Sequence, residues 1–202
     1  MLSKIWWKIE MKQRIYVDTS VIGGCLDQEF SLWSNLFFDE VRQSLKTAVI
    51  SDLTKKELEK APQEVKDILL LIPEGSIEDV FLNDESEALA QSYIQNKVVT
   101  TKHIVDAQHI AIATVERVLV LVSWNFKQIV NLDRIHAFNS VNLKLGYPLI
   151  EIIGLFQTRD AAEVQYNDLF YPEKRPNIDY LNVFNGEKVN RSPREVIDEK
   201  EF

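Results

Sequence analysis

"TKHIVDAQHIAIATVERVLVLVSWNF", residues 101–126, is the stretch whose reading decides the fold. Residues 101–118 read as one long helix. Ile104, Val105, Ala107, Ile110, Ala111, Ile112 and Ala113 leave it apolar on nearly every side, so it is expected to be buried. Residues 119–123, "LVLVS", are a short apolar run of strand length. A buried helix feeding a buried strand is half of a crossover unit. The same alternation recurs along the chain. "RIYV" (14–17), "TAVIS" (47–51) and "PLIEII" (148–153) read as strands. Helical spacing appears over 31–45, 52–61, 63–72 and 84–96, around "FKQIVN" after Trp124, and near "LDRIHAFNSVNLKLG". Strands separated by helices predict an α/β fold with a central parallel sheet covered on both faces.

The chain of 202 residues is long enough for one domain with a proper core, and its apolar fraction of 46% is ordinary for a globular protein. A net charge of −8 argues against a broad basic surface that grips nucleic acid by counterion release, though not against a local groove. Cys25 stands alone, so no internal disulfide can form, and a reducing, cytoplasmic location is expected. No apolar run is long enough to span a bilayer, and no membrane partner is expected. Met11 directly precedes "KQRIYVD", so residues 1–10 read as a disordered N-terminal extension upstream of the working start. From Gly154 to Asn190 the periodicity dissolves into aromatics, Pro and Asn.

In an open parallel sheet, ligands gather beyond the carboxyl ends of the strands, near a topological switch point. Asp18 ends the first strand, and it reads equally as an N-cap or as a site acid. Gly23 and Gly24 are expected to permit close packing behind it. Glu57 completes Thr54-x-x-Glu57, and taken alone the capping-box reading is favoured. Asp106 is the most telling of these residues: an ionised carboxylate on a buried helix is costly unless paired or metal-bound. Asn125 and Ser123 follow the third strand, where the amide either binds a water or a phosphate oxygen, or caps the next helix.

His103 and His109 flank Asp106 at three-residue spacing, which raises the question of zinc. At about 100° per residue, each imidazole is turned about 60° from the carboxylate. That suits core or supporting histidines better than three ligands to one ion. Phosphate-cradling GxxxxGK[ST], GxGxxG and the GxSxG elbow are absent. Acids on separate βα units, with no nucleophile, suit hard oxygen ligation of Mg²⁺ or Mn²⁺ and metal-activated water attacking a phosphodiester. A phosphatase of the haloacid dehalogenase class would need a second Asp where Ser20 stands.

Together, "IYVDTSVIGG" with Asp18, "SDLTKKELEKAP" with Glu57, "DAQHIAIAT" with Asp106 and "LVSWNFKQIVN" resemble the PIN domain family, particularly its bacterial VapC-type members. The resemblance covers residues 13–152. It implies a three-layer α/β/α fold and a Mg²⁺- or Mn²⁺-dependent ribonuclease, with Asp18, Glu57 and Asp106 as metal-holding and catalytic acids. Ser20 matches the hydroxyl that supports the first acid, and Thr19, Ser123 and His109 stand beside it as supporting residues. The resemblance also implies an RNA substrate, a small antitoxin partner and a homodimer.

Two departures from the family pattern stand out. Asn125 replaces a further Asp that many such nucleases carry, with Asp133 the nearest substitute, although Asp133 reads better as a helix cap. Losing that charge weakens a second metal position and keeps a catalytically inactive RNA- or protein-binding module as the alternative. Also, "FNSVNLKLGYPLIEI" (138–152) and "RSPREVI" (191–197) lie about forty residues apart, where related chains run almost directly from one to the other. Residues 11–152, completed by 191–202, are therefore expected to form the nuclease domain. Residues 153–190 are expected to be an insertion or flap.

Overall fold

The computed structural model describes residues 12–154. The expectations for residues 1–10, for the rest of the insertion and for 191–202 lie outside the described residues.

Five strands form a single parallel sheet: β1 (Gln13–Val17), β2 (Lys46–Ser51), β3 (Ile77–Val80), β4 (Val120–Val122) and β5 (Glu151–Ile153). Their order is β3-β2-β1-β4-β5, so β1 is central and the chain reverses its direction of travel across the sheet between β1 and β4. Crevices of this kind hold ligands in α/β folds. β3 was not expected, because "IEDV" carries two acids in its middle. At the sheet's edge those acids have partners: Glu78 pairs with Arg14 at 2.5 Å, and Asp79 with Lys55 at 2.7 Å. Charged side chains on an edge strand also discourage further pairing.

Side chains alternate across the strands and build two cores. Tyr16, Val49, Leu121 and Ile152 face one layer, made by α5 (Asp84–Gln95), α6 (Ile104–Val115) and α7 (Leu132–Leu145). Ile15, Val17, Ala48 and Ile50, all buried, point the opposite way. On that side, α1 (Thr19–Gly24) meets α2 (Ser31–Arg42), α3 (Asp52–Leu58) and α4 (Gln63–Leu70), and α2 packs on β2. The result is the expected three-layer α/β/α arrangement. A single 3-10 turn, Thr101–His103, precedes α6. No helix among the described residues is long and apolar enough to cross a membrane.

Local details correct several expectations. Residues 126–131 form turns rather than a helix: the backbone N–H groups of Ile129 and Val130 both donate to the Asn125 carbonyl, at 3.0 and 2.9 Å. Thr54 does not open a capping box with Glu57. Ser51 caps α3, its hydroxyl accepting from the Thr54 N–H at 3.1 Å, so the Glu57 side chain is free of capping duty. Asn131 rather than Asp133 caps α7. Of the two glycines, only Gly24 is required by packing: a Cβ there would lie 2.3 Å from Nε1 of Trp124, whereas Gly23 faces open space.

Candidate metal centre

Asp18 leaves β1 with extended backbone and stands at the N-cap position of α1, yet its side chain makes no capping hydrogen bond. It is buried. Oδ2 instead accepts from two hydroxyls, that of Ser20 and that of Ser123, the latter at 2.6 Å. The direction of these bonds is fixed by the backbone after β4. The N–H of Trp124 donates to Ser20 Oγ at 2.9 Å, and the N–H of Asn125 donates to Ser123 Oγ at 3.0 Å. Each serine therefore accepts from that loop and spends its own proton on Asp18. Among the described residues, no Lys or Arg pairs with Asp18, and its Oδ1 has no hydrogen-bond partner. A buried carboxylate in that state needs a positive charge from elsewhere.

Two groups face it. Glu57, on α3, is held by the hydroxyl of Thr19, which donates to Oε2. The same oxygen lies 3.3 Å from Nε2 of His109. The hydrogen bond with His109 holds the Glu57 carboxyl below its usual range against the opposing effect of burial, with Thr19 assisting. Glu57 remains reachable from solvent, its side chain 39% exposed. His109 is fully buried in α6, and its Nδ1 lies 2.7 Å from the Tyr16 hydroxyl. Burial alone would lower the His109 pKa. The bond with Glu57 and the charges of Asp18, Glu57 and Asp106 outweigh it, so His109 is held above its ordinary value.

Ligand atoms of Asp18, Glu57 and His109 all lie within 4.8 Å of one another, and among the described residues this is the one such group. Two carboxylates and an imidazole, with an orphaned buried oxygen, form a donor set that fits a divalent cation.

Asp106 stands beside this group, in the first turn of α6. Its oxygens are already engaged: Oδ1 accepts from the Asn125 amide at 3.0 Å, and Oδ2 lies 3.2 Å from Nδ1 of His103. Burial holds its pKa above the ordinary carboxylate value, partly offset by His103, and the charge of Asp18 acts in the same upward direction. Asn125 caps a turn rather than the expected helix, and its amide meets a carboxylate of the chain itself. Its Oδ1 accepts from the Gln128 N–H at 3.1 Å and closes the following turn, while its Nδ2 reaches Asp106.

No family model matches the chain, and no curated protein does. Among solved structures, the chain is similar to VapBC2 from Rickettsia felis bound to a DNA fragment from its promoter, at 13% identity and a TM-score of 0.45, covering 70% of this chain and 98% of that one. It is also similar to the PIN domain endonuclease Utp24, at 15% identity and a TM-score of 0.36, covering 71% and 85%.

The structure places every expected residue, Asp18, Thr19, Ser20, Glu57, Asp106, His109, Ser123 and Asn125, in one connected region at the carboxyl ends of β1, β2 and β4. Tyr16 was missed. A tyrosine in an otherwise apolar strand was the available signal, because a buried phenol needs a partner for its hydroxyl.

Proposed function

We propose that this chain is a divalent-metal-dependent endoribonuclease of the PIN type. The observation that carries the reading is the buried Asp18 carboxylate at the switch point, which has two hydroxyl donors and no Lys or Arg partner among the described residues, and which faces Glu57 and His109. Asp18, Glu57 and Asp106 are the acids of the site. Ser20 and Ser123 orient Asp18, Thr19 orients Glu57, and Asn125 holds Asp106 while closing the loop beneath it. Mg²⁺ or Mn²⁺ bound there supplies charge neutralisation and an activated water for attack on a phosphodiester. The chain's own contribution is a fixed, partly dry cluster of oxygens, from the end of β1 and from helices α3 and α6, with Glu57 open to solvent.

The test is cleavage of single-stranded RNA in Mn²⁺. Asp18→Asn keeps the shape and the serine bonds but removes the charge, and is expected to lower the rate by about a hundredfold or more, equivalent to about 3 kcal/mol or more. EDTA is expected to abolish cleavage. Activity that survives both treatments overturns the proposal.

Asn125 favours a second reading: with a neutral amide bonded to Asp106 in place of a further acid, the chain would be a binding module for RNA or protein. Calorimetric titration with Mn²⁺ separates the two, since a module without measurable affinity for the ion is no nuclease. A role as the toxin half of a pair, with a small antitoxin partner, follows from the motif resemblance. It is tested by growth arrest on expression and rescue by the neighbouring reading frame.

A further inference from the structure

The following rests on reading the cleft as a divalent-cation site and concerns which side chains hold the ion. The hydrogen-bond chain behind His109 places a proton on its Nδ1. Thr54 Oγ1 donates to the Val17 carbonyl at 3.4 Å, so it accepts from Ser51 Oγ at 3.0 Å. Ser51 Oγ, its own proton used, accepts from the Thr54 N–H at 3.1 Å and from the Tyr16 hydroxyl at 2.7 Å. The Tyr16 oxygen is then left as the acceptor for Nδ1–H of His109, at 2.7 Å. Nε2 is then the nitrogen left for the cleft: without an ion it carries a proton and donates to Glu57 Oε2, 3.3 Å away, and an ion that displaces that proton meets a lone pair directed into the group that also holds Asp18. A positive charge, the Nε2 proton or an ion in its place, is needed where that nitrogen and the two carboxylates converge.

The spacing agrees. Ligand atoms about 2.1 Å from a six-coordinate ion are about 3 Å apart on adjacent vertices and about 4.2 Å apart on opposite ones. The observed 3.3 Å suits an adjacent pair, and the group's 4.8 Å limit admits the others. Asp18, only 6% exposed, contributes an oxygen without a partner among the described residues. Asp106 has both oxygens occupied, by Asn125 and His103.

We infer that His109, through Nε2, is the third protein ligand beside Asp18 and Glu57, and that Asp106 acts from outside the coordination shell. An imidazole in that shell disfavours Mg²⁺, which demands oxygen, relative to Mn²⁺. A Tyr16–His109 hydrogen bond behind the metal would fix the ring in the way that outer partners of ligating histidines commonly do.

The experiment is pulsed electron paramagnetic resonance on the full chain loaded with Mn²⁺, with ¹⁴N- and ¹⁵N-histidine, alongside calorimetry with Mn²⁺ and Mg²⁺ separately. Directly bonded histidine nitrogen coupling is expected in the wild type, absent from His109→Gln and retained in Asp106→Asn. Mn²⁺ is expected to bind at least tenfold tighter than Mg²⁺, a margin that His109→Gln narrows. Should His109→Gln fail to fold, the wild-type spectrum still decides whether nitrogen is bound. Bound Mn²⁺ with no directly bonded histidine nitrogen coupling, or such a coupling that survives in His109→Gln, overturns the inference while leaving the nuclease reading standing. No Mn²⁺ binding at all overturns both.

Discussion

At the scale of single residues, the pair His109–Glu57 makes stability depend on pH in a calculable direction. His109 is raised in the folded state, so its contribution is complete below its unfolded value of about 6.5 and is lost as pH rises through the folded one. Glu57 is lowered, so its contribution is present above about 4.3 and is lost as pH falls through its folded value. In metal-free protein, the advantage of wild type over His109→Gln in urea denaturation is expected to peak between about pH 4.3 and 6.5 and to shrink on both sides. An advantage that keeps growing above pH 8 would mean that the pair is not what stabilises. Asp18 and Asp106 were legible as candidates because an acid at a strand end and an acid on an apolar helix both violate local rules. His109 was legible only as support. Helical geometry placed it about 60° from Asp106, which argued against a shared ion but did not show that His109, rather than Asp106, would turn toward Asp18.

At the scale of elements, α1 offers a paired test of packing. Gly24→Ala would drive a Cβ to within 2.3 Å of the Trp124 indole and 2.6 Å of Ser34 Oγ, so a loss of about 1–3 kcal/mol is expected. Gly23→Ala meets nothing within 4 Å and is expected to be neutral or to stabilise by up to about 1 kcal/mol, because alanine restricts the unfolded chain. Thermal melts of the two variants give the comparison directly. Equal effects would show that helix propensity, and not the Trp124 contact, governs both sites. The difference between these glycines could not be read from the sequence, because Trp124 arrives from β4 across the sheet. The strands β1, β2, β4 and β5 were readable from their apolar runs. β3 was hidden by Glu78 and Asp79, whose partners Arg14 and Lys55 come from other elements. The short run after Phe126 had helical composition but too few residues to form a helix against the Asn125 turn that captured its backbone.

Taken as a whole, the chain carries a net charge of −8, which limits how it can hold a polyanion. RNA cleavage at fixed Mn²⁺ is expected to depend weakly on KCl, with a log–log slope shallower than about −2, as for fewer than about three phosphate contacts on a single strand. A steeper slope would reveal a basic groove that the overall charge conceals. The layered α/β architecture was legible from the alternation of runs, apart from the edge strand β3. The centre was legible only as a set of residues, because its geometry depends on how α3 and α6 roll against the sheet. That same dispersion has a thermodynamic consequence. Asp18, Glu57 and His109 belong to three separated segments, so the denatured polymer has no way to present them together. An ion that recognises only the native arrangement shifts the unfolding equilibrium by mass action, by about 2.7 kcal/mol at a hundredfold excess over its dissociation constant. The melting temperature would then serve as a titration curve for manganese, readable without any nucleic acid in the tube.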